Sequence, residues 1–166
     1  MSLVTPHPLW KTAGHSPYKI VMATVQAKML SGRYRTGALT RHWGKESKGF
    51  CSLSPLCSNT LDDLNHILRL CPALESTRIF LYDFTVRFSN SLPDNVKILL
   101  CSKCHPTAPS FINFILDCST DSDVISLCQD VGFSILDPLF TVTHTWAYVI
   151  HRERLKLLGR WRLGAY

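Results

Sequence analysis

Phe50 to Pro72 reads FCSLSPLCSNTLDDLNHILRLCP, and the interpretation of this stretch decides the fold. Cys51, Cys57, His66 and Cys71 stand at C-x5-C-x8-H-x4-C spacing. Three thiols and one imidazole so close in sequence make a tetrahedral Cys3His set for one structural Zn2+. Between the second and third ligands the pattern predicts a helix start. Thr60 is the expected N-cap, Asp63 occupies the capping-box position, and Leu61, Leu64, Ile67 and Leu68 form an apolar stripe. His66 then lies on the helix, while Cys71 precedes Pro72, which pushes it out of the α region. Residues five apart on an intact α-helix point away from each other, so a loosened last turn is needed to bring His66 and Cys71 to one ion. The alternative is that the four side chains simply pack as small core residues, since free cysteine is usually buried and inert.

Upstream, Ser16 as N-cap and Pro17 at the first helical position open a helix that runs to Leu30 and closes at Ser31-Gly32. Residues 1–16 read as an irregular lead-in with Trp10 as its anchor. Residues 32–49, GRYRTGALTRHWGKESKG, are broken by four glycines and hold at most a short helix over Ala38–Trp43. Lys28, Arg33, Tyr34, Arg35, Arg41, His42, Trp43, Lys45 and Lys48 interleave cations with aromatic rings. That pattern suits single-stranded RNA or DNA, with cations on phosphates and rings stacked on bases. The alternative packs Tyr34 and Trp43 on the neighbouring helix under a cover of arginines.

Charge follows the same division. The whole chain carries +6. Residues 1–50 contribute +7, residues 51–130 contribute −4 and residues 131–166 contribute +3. A positive arm leading into a metal motif points to a polyanionic partner. Hydrophobic residues at 46% and charged residues at 18% exclude a disordered chain and allow a real core. Seven cysteines form an odd set, and Met1–Lys19 shows no apolar signal region, which favours metal ligation over a disulfide framework. The chain is expected to be intracellular, nuclear or cytoplasmic, without a membrane span.

Downstream, Pro72 opens a helix whose Leu74, Ile79, Phe80, Leu81, Phe84, Val86 and Phe88 surround it on nearly all sides, as in a core element. Further helices are expected over Asp94–Ser102, over 111–118, from Ser122 to Asp130 with Asp121 or Ser122 as cap, and from Pro138 to Leu158, the longest. Val86-Arg87-Phe88 and Thr141-Val142-Thr143-His144 carry β-favourable residues that leave room for strand. The fold class is mainly α: an irregular small helical bundle with an embedded Cys3His zinc knuckle. Residues 1–16 form the lead-in, 17–78 the helix, arm and knuckle, and 79–166 a helical C-terminal region.

Other sites are weaker. Cys101-Ser102-Lys103-Cys104-His105 has the form of a haem-attachment motif, but that chemistry belongs to exported proteins. Cys101, Cys104, Cys118 and Cys128 have no distinctive metal spacing and read mainly as core cysteines, with a second metal as the alternative. No G-x-S-x-G, H-E-x-x-H or phosphate-binding glycine loop occurs, and the acids scatter singly. No catalytic residue is assigned, and the chain is not expected to be an enzyme.

Residues 28–74 resemble the region after the polymerase domain in LINE-type, non-LTR retrotransposon reverse transcriptases. His66-Ile67-Leu68-Arg69-Leu70-Cys71-Pro72 matches the ending of that family's zinc knuckle, a His, two hydrophobic residues, two variable ones, then Cys-Pro. Leu30-Ser31-Gly32-Arg33-Tyr34-Arg35-Thr36 is similar to its approach. The resemblance covers residues 17–78 well and the remainder loosely. It implies that Cys51, Cys57, His66 and Cys71 ligate zinc and that the basic arm holds template RNA or target DNA. The five residues between Cys51 and Cys57 exceed the usual two, so a Ser-Pro turn must loop out there. The family's Tyr/Phe-x-Asp-Asp polymerase segment has no counterpart, which makes the chain look like a detached C-terminal piece with a polymerase domain on another chain as a further partner. The rival class is a protein-interaction module in which zinc is purely structural.

Overall fold

The computed structural model describes residues 6–42 and 49–159, the side chains of Thr40, Arg41 and His42 excepted. Helices α1 (Pro8–Ala13), α2 (Pro17–Leu30) and α3 (Gly37–His42) precede the Cys/His segment. Helices α4 (Glu75–Ser89), α5 (Asp94–Lys103), α6 (Phe111–Leu116), α7 (Ser122–Val131) and α8 (Leu136–Leu157) follow it. The fold is mainly α, as expected, and no strand occurs among the described residues. Val86–Phe88 and Thr141–His144, the β-favourable stretches, lie inside α4 and α8, where burial of one helix face outweighs local preference. No helix among the described residues is long and apolar enough to cross a membrane.

Most helix ends follow their local chemistry. Ser16 Oγ accepts from Lys19 N at 3.5 Å, Pro17 occupies N1, and Gly32 closes α2 with φ +68°. Asp121 Oδ1 accepts from Asp123 N at 3.0 Å and caps α7. The lead-in is more ordered than expected. His7 Nδ1 accepts from Leu9 N at 3.2 Å and starts α1, and Leu9, not Trp10, is the buried anchor. The other ring nitrogen of His7 pairs with Asp117 Oδ2 at 3.1 Å, which ties α1 to the turn after α6.

Helix α8 is the axis of the structure and packs against α1, α2, α4 and α6. Leu139, Phe140, Val142, Trp146, Ala147 and Ile150 are fully buried along it. The Trp146 ring meets Phe111 edge-on at 5.2 Å, and its Nε1–H donates to Thr85 Oγ1 at 2.9 Å. Gln26 on α2 donates to the Ile115 carbonyl at 2.6 Å and to Thr143 Oγ1 at 3.2 Å, and so joins three helices through one side chain. The sequence-based division at residue 78 falls inside α4, which packs on α8.

Helix α4 corrects another expectation. It is not core on all sides: Leu81 and Thr85 are buried, whereas Ile79 and Phe80 are 66% and 55% exposed. Helices α5 and α8 cover only part of its circumference. Trp146→Ala removes the largest buried side chain and its hydrogen bond, and is expected to cost about 3–5 kcal/mol in urea unfolding.

Candidate metal centre

The chain enters the Cys/His segment through Gly49, whose φ is +77°. Phe50 pairs with Leu61 in one antiparallel bridge, framed by Cys51 N to Thr60 O and Asp62 N to Gly49 O, each 2.9 Å. The long first gap is absorbed as expected by a Ser-Pro turn. Ser54 Oγ accepts from Leu56 N at 3.2 Å and starts a single 3-10 turn, Pro55–Cys57, which returns Cys57 to the interior.

The helix start lies three residues later than expected. Asp63, not Thr60, is the cap: its Oδ1 accepts from His66 N at 2.7 Å, while the Thr60 carbonyl is committed to Cys51 N. His66–Leu70 then winds as one π-helical turn, closed by Cys71 N donating to His66 O at 2.7 Å. Residues five apart on an α-helix diverge by about 140°. Closing the turn from i to i+5 brings them to the same side, and such π turns recur at functional sites. Cys71 leaves in an extended conformation (φ −61°, ψ 117°), and Pro72–Leu74 turns the chain into α4.

The four side chains converge. Cys51, Cys57, His66 and Cys71 are all buried, and one ligand atom from each lies within 4.8 Å of the other three. Cys51 Sγ and Cys71 Sγ are 3.9 Å apart, too far for a disulfide. A tetrahedral ion with metal–sulfur bonds of about 2.3 Å holds its sulfurs ~3.8 Å apart. Both ring nitrogens of His66 are buried without a hydrogen-bond partner. Orphaned polar atoms of this kind are uncommon in native interiors, and a bound metal accounts for one of them. The residues therefore fit a four-coordinate metal ion.

Protonation supports the same chemistry. Burial pushes the Cys51 thiol up to about 12 and raises Cys71 as well, while burial lowers His66 and keeps its imidazole neutral. Without a metal these thiols stay protonated at neutral pH. A divalent ion supplies the positive charge that displaces their protons, so binding and proton release are linked. Ile67, Leu68 and Leu74, close in sequence to His66 and Cys71, are fully buried.

A second constellation fixes the knuckle to the body. Asp62 Oδ2 accepts from Gly37 N at 2.6 Å and from Arg154 Nη2 at 2.7 Å, and Arg154 Nη1 donates to the Arg35 carbonyl at 3.1 Å. Asp62 is thus the buried partner of α8 and not a helix cap. A Cβ at Gly37 would stand 2.9 Å from Asp62 Cβ and 3.2 Å from the Gly49 carbonyl carbon, so only glycine permits this approach. No sequence signal marks Asp62 and Arg154 as partners across 92 residues.

The arm divides by alternation. Tyr34 and Thr36 face inward, and Arg33 and Arg35 face solvent, as does Lys28 in the last turn of α2. Tyr34 is 5% exposed, with its hydroxyl paired to His151 Nδ1 at 3.0 Å and the Arg154 guanidinium 5.8 Å from its ring. It packs on α8 and offers no free face for stacking a base, which corrects its assignment as a nucleic-acid contact. The side chains of Arg41 and His42, and the whole of Trp43, Lys45 and Lys48, lie outside the described residues. Among the described residues, no second group of three metal-ligating side chains forms. Cys104, Cys118 and Cys128 are buried in the helical core, and Cys101 Sγ lies 3.5 Å from Ser89 Oγ.

The chain matches no protein-family model, no curated protein and no solved structure.

Arg154→Met leaves the Asp62 carboxylate buried without its cation. This variant is expected to lose about 3–5 kcal/mol in urea unfolding, and a variant within 1 kcal/mol of the parent would show the pair to be dispensable.

Proposed function

We propose that this chain is a zinc-knuckle module that binds single-stranded nucleic acid and contributes no polymerase chemistry of its own. The observation that carries the reading is the closed, buried Cys3His cluster set by the π turn, in a sequence that resembles the retrotransposon knuckle. Zinc suits it because thiolate and imidazole ligands in a closed tetrahedral set are its usual structural environment. Cys51, Cys57, His66 and Cys71 hold the ion, and the bound ion fixes the course of residues 49–72.

The nucleic-acid surface is supported by Lys28, Arg33 and Arg35, exposed beside the knuckle. The arm lies against the C-terminal part of α8 through Tyr34 to His151 and Arg35 to Arg154, which holds the backbone that carries Arg33 and Arg35. Arg41, Lys45 and Lys48, with His42 and Trp43, extend the arm in sequence. In this reading the cations follow a phosphate backbone of template RNA or target DNA.

A protein-docking reading has its own observation, the exposed Ile79 and Phe80 of α4 with Ile98 of α5. A polymerase domain on another chain is the partner this reading names. The two are separable, because the apolar residues lie apart from the arm and can be changed alone.

Purified protein is expected to contain about one zinc per chain by atomic emission, lost in Cys51→Ser and His66→Ala. A fully folded protein without metal would refute the zinc assignment. Binding to single-stranded RNA should weaken as salt rises. Neutralising Lys28, Arg33 and Arg35 together should lower the slope of log affinity against log salt by about 2. Affinity unchanged by those substitutions, yet lost on Ile79→Ser/Phe80→Ser, would favour docking instead.

A further inference from the structure

Two arginines are buried among the described residues, Arg78 and Arg154. Arg154 has its carboxylate in Asp62. Arg78 has none within ion-pair distance among the described residues. Its Nη2–H donates to the Cys71 carbonyl at 2.6 Å, and its Nη1 is buried with no partner at all. A buried cation without counter-charge is strongly unfavourable, so the surroundings must supply one. Glu75, one turn earlier on α4, is exposed and makes no ion pair with it. Glu75 therefore attracts Arg78 only through solvent, and the buried group that Arg78 does touch is Cys71 of the knuckle.

The arithmetic of the metal centre provides the counter-charge. A divalent ion with three thiolates and one neutral imidazole carries a net charge of −1, here among four buried side chains. We propose that Arg78 is the positioning residue of this centre: its guanidinium balances the net negative charge of the metal–thiolate cluster while clamping the carbonyl of the last ligand, Cys71. This inference rests on the metal reading and goes beyond it, because it gives a residue outside the four ligands a part in holding the ion. The clamp sits where the π turn ends, so it holds Cys71 in the extended conformation that its ligand role requires. Without the ion, Arg78 is left buried with the Cys71 carbonyl as the one partner of its Nη atoms. Metal loading and the seating of the first turn of α4 are thereby coupled.

The test is a competition titration of the full chain against a chromophoric zinc chelator, comparing the parent with Arg78→Met, Arg78→Lys and Cys51→Ser. Arg78→Met keeps most of the volume and removes the charge, and is expected to weaken zinc binding by about tenfold or more, with Arg78→Lys intermediate. Cobalt(II) provides a second readout: loss of the cation should move the sulfur-to-cobalt charge-transfer band to lower energy in Arg78→Met and less so in Arg78→Lys. A packing role alone would leave that band in place. Parental zinc affinity and an unshifted band in Arg78→Met would overturn the inference while Cys51→Ser still loses the metal. Should Arg78→Met fail to fold, Arg78→Gln, which is neutral and can still donate a hydrogen bond, is measured in its place, and an unshifted band there overturns the inference. Parental binding in Cys51→Ser would remove the metal reading, and the inference with it.

Discussion

One carboxylate oxygen, Asp62 Oδ2, receives the Gly37 amide at 2.6 Å and the Arg154 guanidinium at 2.7 Å in a buried setting. Three separate parts of the chain meet there: the knuckle, the basic arm and the last third of α8. Burying such a pair is costly unless its remaining hydrogen-bonding capacity is used. Arg154 uses part of it on the Arg35 carbonyl, and Gly37 has no side chain to keep the carboxylate away. The knuckle is therefore built into the helical body and is not an appended finger. The arm inherits its geometry from the same node, which turns Tyr34 inward and Arg33 and Arg35 outward.

The metal centre depends on a second unusual element. A π turn spends five residues where an α-helix would use four, and its wider ring usually persists only where the surroundings require it. Here Pro72 prevents the helix from continuing past Cys71, and the His66 carbonyl takes the Cys71 amide at 2.7 Å. The resulting cluster buries two ring nitrogens of His66 with no protein partner together with three thiols. The buried arginines on either side show a common logic. Arg154 stands against the Asp62 carboxylate, and Arg78 against the carbonyl of Cys71, the last of the four residues that could hold a metal.

The outer surface carries two different chemistries. The arm and the end of α8 present cations, whereas α4 and α5 present Ile79, Phe80 and Ile98. Because α8 runs under both α2 and α4, it holds these faces in a fixed relation to the knuckle.

Much of this was legible in the sequence, and the legible part is local. The ligand spacing, the Ser16-Pro17 start, the Gly32 stop, the Ser54-Pro55 loop and the Cys71-Pro72 exit act through contacts a few residues long, so residue order alone determined them. The cap at Asp63, the burial of Tyr34, the half-exposed α4 and the anchoring by Leu9 were decided only by tertiary structure. Each depends on what the neighbouring segment already uses or covers: the Thr60 carbonyl is taken by Cys51, and α8 covers Tyr34. Which buried charge finds a partner is likewise a question of proximity across the chain. Arg154 meets Asp62 over 92 residues and Arg78 meets Cys71 over 7. The sequence by itself could specify four candidate ligands and a mainly helical chain; only the packed helices could decide which charges are balanced and which faces remain open.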